Sequence, residues 1–88
     1  MLKDYIQAAM QHAKYEIFEE DGTFYGEIPE CPGVLANEST LEECRVELES
    51  VLEGWILLGV HLHHPIPVID GIDINIVEPV GDEPVQAA

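Results

Sequence analysis

The spacing of apolar residues along this chain changes from one segment to the next, and these changes mark its predicted elements. In residues 2–13 the apolar positions recur three and four apart, which is the spacing of one helix face. Polar residues such as Lys3 and Gln7 occupy the other face. The pattern predicts a helix over residues 2–13 whose apolar face consists of Leu2, Tyr5, Ile6, Ala9, Met10 and Ala13.

From Tyr15 to Ile28 the period shortens to two, the spacing of half-buried strands. Asp21-Gly22 interrupts the alternation, and this dipeptide is typical of the tight turn of a β-hairpin. Gly26 lies in the middle of the second strand, where a missing side chain indicates a bulge or the close approach of another atom. The segment therefore predicts an antiparallel hairpin.

Prolines end the strand pairing after Ile28. Pro29 and Pro32 lack the N–H group that a central strand needs. Gly33 tolerates a positive φ, so Pro32-Gly33 fits a type II turn. A short third strand is expected next, over residues 34–36.

A second, longer helix is predicted over about residues 40–58. Two registers of a capping box are open at its start, Ser39 with Glu42 or Thr40 with Glu43. Gly59 is expected to end the helix as its C′ residue. The predicted apolar stripe consists of Leu41, Cys44, Leu48, Val51, Leu52, Trp55 and Leu58.

The last part of the chain is predicted to hold one more strand. Pro65 and Pro67 favour an extended connector over residues 61–71, and the alternation of Ile72, Ile74 and Ile76 predicts a strand. Residues 78–88 show no periodicity and are expected to form a flexible acidic tail. The order α-β-β-β-α-β predicts a single α+β domain over residues 1–77. In this domain a small antiparallel sheet packs against the long helix. The sheet has three strands before that helix and a fourth after it, and an extra helix precedes the sheet.

The charge of the chain is strongly one-sided, because 3 Lys and Arg residues face 18 Asp and Glu residues, for a net charge of −15. Nucleic acids and anionic membranes attract basic side chains, so neither is expected as a partner. No stretch approaches the roughly 18 apolar residues of a membrane span. Two interpretations remain: the charge keeps the protein in solution, or it steers a basic partner protein to it.

Three histidines, His61, His63 and His64, follow the second predicted helix. In an extended segment His61 and His63 could share one side, but histidine metal sites often use i,i+4 spacing on a helix. The favoured interpretation is a polar connector, with His61 near the helix C-terminus, where a cation is stabilised. No metal site and no cofactor is predicted.

The cysteines and the hairpin carboxylates do not indicate catalysis. A reactive thiol needs a nearby cation or helix N-terminus, whereas Cys31 has Glu27 and Glu30 as neighbours. Cys31 is therefore expected to fill a turn as a small apolar residue. A solvated hairpin tip does not separate the pKa values of paired carboxylates. We expect no catalytic residues and no enzyme activity.

The two cysteines give an indication of the cellular compartment. Cys31 and Cys44 could form a disulfide, but the N-terminal stretch lacks the continuous apolar core of a secretion signal. We expect a cytoplasmic protein with reduced thiols. Whether the two cysteines approach each other stays open.

The predicted contact surface is acidic and comes from the hairpin with its following corner and from the second helix. On that helix Glu43 and Glu47 form a like-charge i,i+4 pair, which costs about 0.2–0.5 kcal/mol of helix stability. Such a face is either simply solvated or a surface for a basic partner. The predicted partner-binding residues are Glu19, Glu20, Asp21, Glu27, Glu30, Glu43 and Glu47.

The stretch EEDGTFYGEIPECPGVLANESTLEECRVELESVLEGWI resembles the HicB-like antitoxin family, of the UPF0150 type. The resemblance depends on the Asp-Gly turn, the following aromatic strand, the corner from Pro29 to Gly33 and the helix start from Thr40 to Glu43. Pro65-Ile66-Pro67 resembles the family's proline segment after the helix. The resemblance extends over residues 15 to about 68. It implies a partial RNase-H-like βββα core without RNase H catalysis.

The resemblance also implies a partner. Such a protein is expected to bind and neutralise a small basic RNase toxin of the HicA type within a type II toxin–antitoxin system. The family's DNA-binding module has no counterpart after Pro67, so operator binding is not expected, and the N-terminal helix is additional to the family pattern. The alternative is a stand-alone homo-oligomeric scaffold of the same fold. A homodimer is expected because the sheet edges need cover.

Overall fold

The computed structural model describes residues 1–75, in which a helix, three strands and a second helix follow one another. Helix α1 spans Leu2–Gln11, strand β1 Lys14–Phe18, strand β2 Thr23–Glu27, strand β3 Leu35–Glu38 and helix α2 Leu41–His61. The predicted α+β class is confirmed, as is the element order up to the long helix. The predicted fourth strand reaches into residues 76–88, which lie outside the described residues, as does the predicted tail.

The sheet is antiparallel, with β2 between β1 and β3. Tyr15 pairs with Gly26 and Gly26 pairs with Ala36, so these residues form a row across one face. A Cβ atom on Gly26 would lie 2.9 Å from Cε1 of Tyr15 and 3.1 Å from Sγ of Cys44 in α2. Gly26 therefore marks a close approach, and the strand register continues through it without a bulge.

The hairpin loop, residues 19–22, contains the predicted Asp21-Gly22 turn. The N–H of Gly22 donates a hydrogen bond to the carbonyl of Phe18 at 2.8 Å. Gly22 has a φ of +69°, a conformation that glycine adopts without a steric penalty. The turn prediction is confirmed, with Glu19 and Glu20 completing the loop.

The corner between β2 and β3 is closed by two backbone hydrogen bonds. The N–H of Cys31 donates to the carbonyl of Ile28 at 2.9 Å, and the N–H of Val34 donates to the carbonyl of Cys31 at 3.0 Å. With Gly33 at a φ of +96°, the second bond fits the type II turn predicted at Pro32-Gly33. Because this turn uses the N–H of Val34, β3 spans Leu35–Glu38 instead of the predicted residues 34–36.

Helix α1 ends two residues earlier than the predicted residue 13. The N–H groups of His12 and Ala13 donate to the carbonyls of Ala9 and Met10, at 3.0 and 3.2 Å. These shorter-range bonds tighten the last turn. The chain then enters β1 at Lys14.

Helix α2 starts where the sequence indicates and ends later. Its N-cap is Thr40, whose Oγ1 accepts a hydrogen bond from the N–H of Glu43 at 3.0 Å, so the second of the two capping registers is the correct one. The predicted end at residue 58, with Gly59 as C′, is wrong. Gly59 is buried inside the helix, and a Cβ there would lie 2.8 Å from Cδ1 of Ile66. Gly59 thus makes room for the returning chain.

His63 is the C′ residue of α2, with a φ of +60°. Its N–H donates to the carbonyl of Val60 at 3.2 Å, and the N–H of His64 donates to the carbonyl of Gly59 at 2.8 Å. This pair of bonds is a Schellman motif. The helix therefore runs through His61, which lies in its last turn.

The core lies between the inner face of the sheet and α2, and it continues between α2 and α1. The predicted stripe on α2 is rotated relative to the buried one: Leu41 and Leu58 are 45% and 57% exposed, whereas Ile56 is buried. The spacing of apolar residues within α2 gives no information about α1, which packs on the side of α2 that carries Ile56. The buried residues of α2 are Cys44, Leu48, Leu52, Ile56 and Gly59.

The segment after α2 packs onto the core instead of forming a merely extended connector. Ile66 and Ile69 are buried, and the hydroxyl of Tyr5 donates to the carbonyl of Pro67 at 2.6 Å. Ile69 and Ile72 exchange backbone hydrogen bonds across Asp70-Gly71, whose φ values are +51° and +78°. Positive φ at both central residues is typical of a type I′ turn.

Candidate partner-binding surface

Three acidic segments meet at one end of the sheet. β1 ends and β2 begins at the hairpin loop, and Glu38 at the end of β3 lies opposite Phe24, next to that loop. Helix α2 begins directly afterwards, at Leu41. We call this region the acidic end, and its carboxylates are those of Glu19, Glu20, Asp21, Glu38, Glu42, Glu43 and Glu47.

A shallow, open depression of about 290 Å³ lies where β3 passes into α2. Val46, which is 66% exposed, forms its aliphatic part. A Lys or Arg side chain suits such a place, because its stem contacts apolar surface while its charged head bonds to carboxylates. The carboxylates that line the depression are those of Glu38, Glu42, Glu43 and Glu47.

Basic side chains do little to neutralise the acidic end. Within residues 1–75 no ion pair joins Arg45 to Glu42 or Glu49, its acidic neighbours at helical spacing. Glu42 and Glu43 lie in the first turn of α2, where the helix dipole favours acidic residues. The negative potential at this end is therefore directed outward into the solvent.

Exposed apolar side chains lie beside these carboxylates. Ile17 and Phe18, at the end of β1, are 60% and 43% exposed. Ile17 lies on the sheet face toward α2, which covers β2 and β3 but not β1, and Phe18 lies on the opposite face. Phe18 stacks on Tyr25, with ring centroids 5.6 Å apart. Leu41 adds a half-exposed side chain at the start of α2. Apolar groups with a charged rim are typical of protein–protein contacts, whereas solubility alone requires only the charges.

The predicted contact residues divide between the two ends of the sheet. Glu27 ends β2 at the far end, and Glu30 lies in the corner beyond it. The carboxylate of Asp21 accepts hydrogen bonds from the N–H and hydroxyl of Thr23, at 3.2 and 2.7 Å. These bonds lower the pKa of Asp21 and tie it to the hairpin. The remaining predicted residues, which lie at the acidic end with free access to solvent, are Glu19, Glu20, Glu43 and Glu47.

Glu38 and Glu42 belong to the acidic end but were not predicted. Glu38 lies beyond the predicted end of the third strand, and only its pairing with Phe24 places it beside the hairpin loop. In the sequence, Glu42 forms part of a capping signal. The clustering of acidic residues at 38–47 is the one sequence signal that could have found both.

Glu30 takes part in a cluster of ion pairs that lies at the surface and joins residues of this same chain. Nδ1 of His12 lies 2.8 Å from Oε2 of Glu30, and Nε2 lies 2.9 Å from Oδ1 of Asp70. Hydrogen bonds to Asp70 and then to Glu30 raise the pKa of His12, because both carboxylates favour the protonated ring. The cluster joins the end of α1, the proline corner and the turn at Asp70, so the structure gives Glu30 an internal role.

The thiols and the other histidines do not assemble into a reactive site in the described part of the chain. Cys31 and Cys44 are free and 1% and 0% exposed, and burial raises the pKa of both thiols. Cys31 fills the corner as a small apolar residue, as predicted. His61, His63 and His64 are exposed. Among residues 1–75 no group of three or more His, Cys, Asp or Glu side chains is placed to hold a metal ion.

Comparison with known proteins assigns the fold to a family. A family model described as UPF0150-like matches residues 4–67, from α1 to the segment after α2. The chain belongs to the UPF0150-like family. This confirms the predicted resemblance at the family level. It also places most of α1 inside the family's domain, so that helix is not an addition to it.

A solved structure gives the UPF0150-like fold independent support. The crystal structure of TTHA0281 from Thermus thermophilus matches with a TM-score of 0.80 and 34% sequence identity. The match covers 86% of this chain and 94% of that one. A search of curated proteins gave no match. No helix within residues 1–75 has the length and apolar character needed to cross a membrane.

Proposed function

We propose that this UPF0150-like protein acts by binding, as the antitoxin-like component of a type II toxin–antitoxin system. Its partner is a small basic RNase of the HicA type, and its location is the cytoplasm, where such an RNase meets its substrate. The observation that carries the proposal is the acidic end, where four carboxylates that form no ion pair within residues 1–75 surround the exposed side chain of Val46. The resemblance of the corner and helix start to HicB-like antitoxins supports the choice of partner.

The proposed mechanism is electrostatic competition. An RNase needs a basic face to hold the RNA backbone, because basic side chains replace the counterions of the phosphates. The acidic end presents the opposite charge and attracts that face. A Lys or Arg of the partner enters the depression beside Val46, and Ile17 and Leu41 supply apolar contact. RNA is then excluded from the covered face, without any chemical step on this chain.

Capture from native lysate tests the proposal. The tagged full-length protein is incubated with lysate of its source cells and eluted with a salt gradient, and the eluate is identified by mass spectrometry and assayed for RNase activity. We expect a small basic protein that is released as salt rises and cleaves RNA once free, because salt screens exposed charges.

Charge reversal locates the contact. The double variant Glu42→Lys/Glu43→Lys is expected to weaken capture at least about tenfold, since like charges then face each other. The matched control is Glu53→Lys, on the side of α2 that faces Leu2 and Ile6 of α1, and it is expected to capture the RNase normally. Equal capture by both variants would place the contact elsewhere.

A stand-alone scaffold is the second candidate function. The exposed Leu57 and Leu58 on α2, at 67% and 57%, favour it because they offer apolar surface for self-association. In the same capture experiment this alternative predicts recovery of further copies of the chain alone.

A further inference from the structure

One face of helix α2 is mostly exposed in the described chain: four of its five residues are exposed, and Val51 lies at its border with the core. Its positions recur alternately four and three residues apart, the spacing of a coiled-coil seam. The buried row from Cys44 to Leu52 packs against the sheet and Ile56 lies on the side of α1, whereas this face lies to the other side of the buried row. We call it the α2 seam, and its residues are Glu47, Val51, Gly54, Leu58 and His61.

Gly54 is the unexplained residue of the α2 seam. Glycine in a helix interior lowers helix stability relative to alanine. At Gly26 and Gly59 neighbouring atoms require the absence of a Cβ, but at Gly54 nothing in residues 1–75 lies within 4 Å of the Cβ position. A missing side chain between the exposed Leu58 and the half-buried Val51 allows a second helix to approach the backbone closely.

We propose that the α2 seam is a homodimer interface, in which two copies of α2 pack antiparallel about a two-fold axis at Gly54. In this arrangement Gly54 meets Gly54 of the second copy, Val51 meets Leu58, and Glu47 meets His61. The same surface serves both copies, as a two-fold interface requires. This inference does not depend on the proposed function.

Charge selects the second copy and its direction. In the antiparallel register the imidazole of His61 donates a hydrogen bond to the carboxylate of Glu47, whereas a parallel pair would place Glu47 against Glu47. The other carboxylates of this part of α2, Glu49 and Glu53, lie on the side next to α1 and do not face the seam. A basic partner would complement Glu47 but would offer no carboxylate to His61 at the other end, so for this face self-association is the better match.

The test uses the purified full-length chain alone, so its outcome is independent of any RNase. Sedimentation equilibrium from micromolar to millimolar concentration is expected to show a monomer–dimer equilibrium. Gly54→Gln is expected to abolish the dimer while keeping or raising helix content, because Gln is the better helix former and projects into the seam. Glu49→Lys, off the seam on the same helix, is the control and is expected to dimerise like the wild type.

Two charge exchanges test the register. Glu47→Lys and His61→Glu are each expected to weaken the dimer at least about tenfold, because each places like or unpaired charges in the seam. The double variant is expected to restore dimerisation, since the lysine introduced into one copy then meets the glutamate introduced into the other.

A wild-type protein that stays monomeric, or a Gly54→Gln variant that still dimerises, would overturn the interface. Single losses without restoration would overturn the antiparallel register.

Discussion

A methyl group added at position 26 tests how closely α2 packs on the sheet. Gly26→Ala would place Cβ 2.9 and 3.0 Å from two ring carbons of Tyr15 and 3.1 Å from Sγ of Cys44. Non-bonded carbon atoms pack at about 3.5–4.0 Å, so the methyl group overlaps both neighbours. Cys44 is fully buried in α2, so its sulfur is enclosed by neighbouring atoms and has little room to move aside. The strain must therefore displace the Tyr15 ring or the helix itself.

The expected change in the free energy of unfolding of Gly26→Ala follows from two opposing effects. Overpacking of a core destabilises the folded state by about 1–3 kcal/mol. Alanine restricts the unfolded chain more than glycine does, which offsets about 0.4–1 kcal/mol of this. A net loss of about 1–2 kcal/mol in the free energy of unfolding lowers the Tm of a domain of this size by roughly 4–16 °C.

Urea unfolding, followed by Trp55 fluorescence and far-ultraviolet circular dichroism, measures this loss. In a Cys44→Ala background the effect of Gly26→Ala should shrink, because the contacting sulfur is gone and the two sites are coupled. The matched control is Gly54→Ala, which is expected to raise the stability of the monomer by about 0.8–1 kcal/mol when measured at high dilution. If Gly26→Ala is as stable as the wild type, the close contact of Gly26 with Tyr15 and Cys44 is refuted.

Three further predictions concern hydrogen bonds and charge. Tyr15→Phe removes a buried hydroxyl that has no hydrogen-bond partner within residues 1–75, so the free energy of unfolding should stay equal or rise by about 1 kcal/mol. Tyr5→Phe loses the hydrogen bond to Pro67 and should lower the free energy of unfolding by about 0.5–1.5 kcal/mol. Chemical denaturation of both variants shows whether each change raises or lowers stability. Thr40→Ala removes the N-cap of α2 and should cost about 1 kcal/mol in the same assay, while Ser39→Ala should change little; equal effects would contradict the assigned cap. The pKa of His12 is raised above 6.5 in the folded state, so its ion pairs contribute fully below pH 6.5 and are lost as the pH rises through the folded pKa. The difference in unfolding midpoint between wild type and His12→Asn should therefore narrow as the pH rises above 6.5, and a difference that widens would contradict the cluster.

The sequence predicted the turns and the helix cap correctly where the local structure depends on one short segment. The alternation around Asp21-Gly22, the Pro32-Gly33 turn and the Thr40 cap each depend on residues that are neighbours in sequence. The end of α2 depends on distant packing instead. Gly59 is a plausible C′ residue by its type, but Ile66 returns across it, and the helix continues to His61.

The candidate site could be predicted only in part, because sheet register assembles it. Periodicity found Glu43 and Glu47, but the position of Glu38 beside the hairpin loop follows from its pairing with Phe24. For Glu30 the sequence offers only its acidity as a reason to expect it on the same surface. Its contact with His12, which also reaches Asp70 58 positions away, needs the folded chain.

The most direct test of the proposed function is inhibition of the captured basic RNase by this protein. RNase activity is measured while the purified wild-type chain is titrated in, in parallel with Glu42→Lys/Glu43→Lys and Glu53→Lys. We predict that wild type and Glu53→Lys abolish cleavage near equimolar ratio, and that the double variant requires at least about tenfold more protein. Cleavage that persists in excess wild-type chain would contradict the antitoxin function, and equal inhibition by the double variant would contradict the role of the acidic end.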